Sequence, residues 1–135
     1  MKYDIKIDEY GTKRYYVNKV LHREDGPAVE FSDGEKNWYK NGKLHREDGP
    51  AVEFSDGTKH WYKNGFLHRD GAPAREFFYG EFHWIKNGIF HREDGPAIEN
   101  VTGYREWWLN GKIYGKNNAF TNKSWITFVK TLIFS

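Results

Sequence analysis

Residues 34–56 read GEKNWYKNGKLHREDGPAVEFSD, residues 57–79 read GTKHWYKNGFLHRDGAPAREFFY, and residues 80–102 read GEFHWIKNGIFHREDGPAIENVT. These are variants of one 23-residue unit, and a fixed period of this kind sets the architecture before any single residue is weighed. His22, His45, His68 and His91 keep the spacing, as do Trp38, Trp61, Trp84 and Trp107. A degenerate copy runs from Gly11 to Asp33, with Tyr15 in the Trp position and Lys19 in place of the turn glycine. A shortened copy starts at Gly103 and stops near Tyr114, which occupies the His position. Terminal units of a repeat array face solvent on one side and must differ from interior ones. The expected layout is a capping strand in residues 1–10, repeats over 11–114, and a linker and helix in 115–135, all one domain.

Turn chemistry predicts the strands within a unit. Asp33-Gly34 and Asp56-Gly57 sit between alternating segments, and Asp-Gly suits a two-residue type I′ hairpin turn. That turn sets Phe54 opposite Lys59, Glu53 opposite His60, Val52 opposite Trp61 and Ala51 opposite Tyr62, and likewise Arg75 opposite Trp84. The connection from Asn41 to Pro50 is expected to be an anchored loop, with a brief strand at Leu44-His45-Arg46 as the alternative, because Pro50 has no amide hydrogen to give to a sheet and translation-related units need an even number of strands. Two strands per unit would space equivalent residues about 10 Å apart.

The aromatic content of 19% with few aliphatics makes a core of Trp, Tyr and Phe, which suits stacked hairpins better than a helical bundle. No cysteine is present, so disulfides and thiolate metal sites are excluded and nothing requires an oxidising compartment. No stretch approaches the roughly 20 apolar residues that span a bilayer, so a soluble, cytoplasmic protein without membrane contact is expected. The net charge of +2 mixes both signs and advertises no phosphate-seeking field. Near the C-terminus, Trp125, Phe128, Val129, Leu132 and Ile133 fall on one helical stripe, with Thr121 or Asn122 as N-cap. The fold class is therefore mainly β, a single-domain antiparallel hairpin repeat closed by one C-terminal helix, which either caps the last hairpins or docks a partner.

The Asn-Gly turn followed by Lys-Leu-His, the Gly-Pro-Ala, the Asp-Gly hairpin and the aromatic pair resemble a variant of MORN-type repeats. The spelling HREDGPA resembles small repeat proteins of phages and large DNA viruses. The resemblance implies an elongated, twisted antiparallel sheet used for protein or lipid binding, and a viral inhibitor or decoy of a host protein, such as a defence factor, in the host cytoplasm.

The recurring His45-Arg46-Glu47-Asp48 looks like chemistry, but a catalytic centre needs different groups converging on one point, whereas a residue present in every unit answers to what each unit needs to fold. The tetrapeptide reads as a loop fastener, with His bound to a backbone carbonyl and Arg and Asp in ion pairs. Histidines one repeat apart cannot share a metal ion whose His ligand bonds are about 2 Å, and no cofactor is implied. Function is then sought where a middle unit departs from its neighbours. Phe66 and Ile89 replace Lys43, Phe82 replaces Lys59, Phe78-Tyr79 replace Ser55-Asp56, and Arg75 stands where Val52 and Ile98 stand. The loop Arg69-Asp70-Gly71-Ala72-Pro73 has its glycine displaced by one place. A partner-binding site formed by Phe66, Arg75, Phe78, Tyr79, Phe82 and Ile89 is one reading; a bent sheet that buries these aromatics is the other.

The leading function class is a non-enzymatic protein-binding module, monomeric or a homodimer paired through edge strands near Ile5-Lys6-Ile7. Nucleic-acid or nucleotide binding is the alternative, through aromatics and Lys36, Lys40, Lys43, Lys59, Lys63 and Lys86, although Glu35, Glu53, Glu76, Glu81 and Glu99 are interleaved with them. An enzyme is not expected: there is no nucleophile elbow, phosphate-cradling glycine loop or zinc signature, and Ser32, Ser55 and Ser124 read as turn or cap residues.

Overall fold

The computed structural model describes residues 1–133; Phe134 and Ser135, the last two residues of the segment expected to hold the helix, lie outside them. The described chain is mainly β, with 18 short strands in antiparallel hairpins and one helix, Asn122–Ile133. A 12-stranded sheet follows the chain in order from Asp4–Ile7 through Lys13–Val17 and the paired strands of each unit to Lys112–Lys116. Val20–Leu21 branches from Lys13–Val17, and three separate hairpins stand beside the sheet.

Those three hairpins correct the expected loop. Tyr39–Lys40 pairs with Lys43–Leu44, Tyr62–Lys63 with Phe66–Leu67, and Ile85–Lys86 with Ile89–Phe90. Each is closed by Asn-Gly, and it is here that both turn residues take positive φ, 50° at Asn64 and 83° at Gly65, the signature of a type I′ turn. Asn18-Lys19 holds the same turn in the first copy, with Lys19 at φ 66°. A unit thus has four strands and two hairpins, which keeps the even number that translation requires. Only the part after Leu44, from His45 to the proline, is loop.

The Asp-Gly connection differs from expectation by one residue. Phe54 donates its amide to the Thr58 carbonyl at 2.9 Å, and Asp56 Oδ1 accepts the Thr58 amide at 2.8 Å. Gly57 alone takes positive φ, 94°, so Ser55-Asp56-Gly57 form a three-residue loop. Val52 then stands opposite His60 and Glu53 opposite Lys59. A slip of one place moves every side chain to the other face. One face carries the row Lys13, Glu30, Lys36, Glu53, Lys59, Glu76, Phe82, Glu99, Arg105, a ladder of alternating charge broken only at Phe82. The opposite face carries Arg14, Val29, Asn37, Val52, His60, Arg75, His83, Ile98 and Glu106. Arg75 is consequently opposite His60 and His83, not Trp84, whose ring is covered by Arg92 at 3.8 Å.

The last unit is sealed by the helix. Thr121 is its cap: its hydroxyl accepts the Ser124 amide at 3.0 Å, and its own amide donates to Ser124 Oγ at 2.8 Å. Gly115 stands where the other units place the arginine that covers their tryptophan, and Trp125 and Phe120 pack on Trp107 in its stead, at 5.7 and 5.6 Å between centroids. Trp125 is fully buried with Trp107, Leu109 and Val129, and its indole donates to the Arg92 carbonyl at 2.9 Å. Leu132 and Ile133, at the end of the stripe, are exposed.

Candidate partner-binding surface

The repeated residues build the scaffold. Arg46 lies over Trp38 at 3.8 Å and binds Asp48, Glu53 and the Pro50 carbonyl at 3.0 to 3.2 Å. Arg23 and Arg92 repeat this set over Tyr15 and Trp84. The glycine three places on leaves room for this clamp, since a Cβ at Gly49 would lie 2.9 Å from the Arg46 guanidinium carbon. Histidine works between units. His45 Nδ1 accepts the amide of Asn64 in the next unit at 2.9 Å, and Nε2 lies 2.6 Å from Glu47. Nδ1 as acceptor fixes the proton on Nε2. The same amide bond joins His22 to Asn41, His68 to Asn87 and His91 to Asn110. The fastener expected from sequence is thus present, with a backbone amide in place of the expected carbonyl.

The third unit departs from this pattern. Ala72 occupies the place of Gly49, and Gly71 beside it takes φ 73°. Asp70, in the place of Glu47, lies 3.3 Å from His68 and 3.6 Å from Lys86, while Arg69 keeps Trp61, the Pro73 carbonyl and Glu76. The displaced glycine read from sequence therefore puts Gly71 where Asp48 stands, so the Arg69 clamp lacks that carboxylate and keeps its other partners.

Arg75 lies at the centre of an unusual cluster. It is half-buried between His60 and His83, in a position held by valine or isoleucine in the other units. Arg75 Nε, His60 Nε2 and His83 Nδ1 are buried and make no hydrogen bond among the described residues. Phe54 and Phe77 pack edge-on against His60, and Phe77 and Phe90 against His83. Burial, with the Arg75 charge beside it, pushes His60 down to about 4. Burial also lowers His83, against the opposing pull of Glu81, whose carboxylate lies 2.8 Å from Nε2.

The exposed aromatics form two groups rather than one. Phe78 and Tyr79 sit at the tip of the hairpin that joins Arg75–Phe77 to Glu81–His83, 65% and 54% exposed, where the preceding tips carry Ser-Asp. Tyr79 stacks on Phe77 at 5.3 Å, and Val101, on the neighbouring tip, donates its amide to the Gly80 carbonyl at 3.0 Å. Phe66 and Ile89, 58% and 46% exposed, flank the Asn-Gly turns of two successive units. The first group lies on a turn of the 12-stranded sheet and the second on turns of the separate two-stranded hairpins. Phe82 lies on the charged face between Glu76 and Glu99, and Arg75 on the reverse face. Val101, 76% exposed and beside Phe78-Tyr79, was not singled out by the sequence; its substitution for Ser55 was the available signal.

Comparison with family models, curated proteins and solved structures found no match. The functional reading rests on geometry and residue chemistry.

Proposed function

We propose that the chain is a non-catalytic protein-binding module, with the tip formed by Phe78, Tyr79 and Val101 as its principal contact. The observation that carries this reading is the exposure of two adjacent aromatics at a turn where the two preceding units place Ser-Asp. Exposed aromatics raise apolar surface, and Tyr and Phe are characteristic anchors of protein interfaces. The HREDGPA spelling adds a specific form of the reading, a viral inhibitor or decoy of a host defence protein. Nucleic acid is the second reading. Lys36 and Lys59 each stand between two glutamates of adjacent strands, so phosphates would compete with carboxylates already in place.

Restoring the sister residues tests the proposal. Phe78→Ser with Tyr79→Asp should lower the unfolding midpoint only slightly, through loss of the Tyr79–Phe77 stack, and abolish retention of a host protein captured by the unaltered chain. Undiminished capture by the double variant, or a collapsed midpoint, removes the tip as the contact surface.

A further inference from the structure

The two borders of the sheet are treated differently. At the far border, Lys112–Lys116 carries a lysine at each end, is distorted by an irregular register at Trp107/Trp108, and leads into the segment that folds as the helix. Lysines and bulges of this kind discourage strand addition. At the near border, all four residues of Asp4–Ile7 are exposed, Ile5 at 47% and Ile7 at 67%, and among the described residues only Lys13–Val17 pairs with them.

The hydrogen-bonding direction of this border follows from its neighbour. Tyr15 donates its amide to the Ala28 carbonyl at 2.8 Å and accepts the His22 amide at 3.1 Å, so its backbone faces the sheet interior. Residues of an antiparallel strand alternate in direction. Arg14 and Tyr16 therefore face outward, to their partners Lys6 and Asp4. Ile5 and Ile7 are left with N–H and C=O aimed away from the sheet. Their side chains lie on one face and those of Asp4 and Lys6 on the other, where Lys6 sits over the Tyr16 ring at 5.3 Å.

We infer that this border pairs with the same border of a second copy of the chain, antiparallel, about a two-fold axis at Ile5. In that register Ile5 exchanges both backbone bonds with the second copy's Ile5, and Ile7 meets Tyr3. Asp4 then stands opposite Lys6 and Lys6 opposite Asp4, so the sequence Asp-Ile-Lys is complementary to itself. A register centred on Lys6 places lysine against lysine and is disfavoured. Because the far border resists addition, pairing closes at two copies and does not propagate into a fibre. So short an interface lies below the roughly 1,200 Å² of a standard complex, and the dissociation constant is expected on the order of 10–100 μM.

Sedimentation velocity of the full chain from about 1 μM to 1 mM tests the inference in this range. The unaltered chain should pass from monomer to dimer and go no further. Asp4→Lys and Lys6→Asp should each weaken association roughly tenfold or more. Mixing the two variants should recover it, since each supplies the charge the other lacks. Ile5→Pro removes only an outward-facing donor, so it should abolish the dimer while the unfolding midpoint stays in place. A monomer throughout the range, a dimer indifferent to these changes, or a mixture no tighter than either variant alone overturns the inference.

Discussion

At the residue scale, Arg75 is the side chain least explained by folding. Its guanidinium takes a place suited to valine, leaves its own Nε unbonded and opposes protonation of His60. Arg75→Val is expected to stabilise the chain by about 1–2 kcal/mol, measured by urea unfolding at neutral pH. A loss of stability would mean the guanidinium makes a net favourable contact. The imidazoles give a second prediction. His60 and His83 have folded values below the unfolded one, so the unfolded chain binds protons first as pH falls. Their effect is absent above about pH 7, destabilisation grows below about 6.5, and for His60 it levels off near 4. Asp8 and Asp25 are held below the usual carboxylate range, chiefly by hydrogen bonds from Arg14 and Arg23, so the stability they supply is lost only at lower pH. Unfolding at pH 7, 5.5 and 4.5 should show the histidine window, and Arg75→Val should shallow its slope.

At the element scale, sequence and structure part at the turns, and the reason is physical. Asp-Gly and Asn-Gly both satisfy the composition of a type I′ turn, but Asn tolerates positive φ here, whereas Asp56 uses its carboxylate to hold the amide two residues on and leaves positive φ to Gly57 alone. The dipeptide therefore marked where the chain turns without fixing the loop length, and the register slipped by one. That slip hid the charge ladder and the Arg75 cluster, since both depend on which residues share a face. It did not affect the list of departing residues, because the substitution of aromatics for Lys and Ser-Asp needs no register. Their division into separate tips needed the Asn-Gly hairpins instead, which the sequence presented as loop. The helix was legible from its stripe, and its partner Trp107 was not, because nothing local says that Trp125 takes the place of a missing arginine. Trp125→Ala should cost about 3–5 kcal/mol and reduce the helical signal in circular dichroism, since the helix has no acidic first turn to sustain it alone. An undiminished helical signal would show that the helix stands without its packing.

At the scale of the whole molecule, stability should behave as a sum over units and the contacts between neighbours. Every interior junction has the same parts: a histidine holding the next unit's asparagine amide, and the turn glycine donating to the preceding hairpin, as Gly65 does to Leu44 at 2.9 Å. Unit 34–56 contains the full set, with the Arg46 clamp complete and no exposed aromatic at its tip. Inserting a second copy of residues 34–56 after Asp56 adds one complete unit and one complete junction while leaving both capping ends unchanged. The inserted chain should therefore unfold at a higher temperature, still in one transition, and keep its partner, because Phe78, Tyr79 and Val101 remain on adjacent units. A lower midpoint would mean that the junctions are not equivalent and that stability is set by a closed shape of fixed length. Loss of the partner at a raised midpoint would place the contact across a span longer than two units, joining the tip to residues that the insertion moves away.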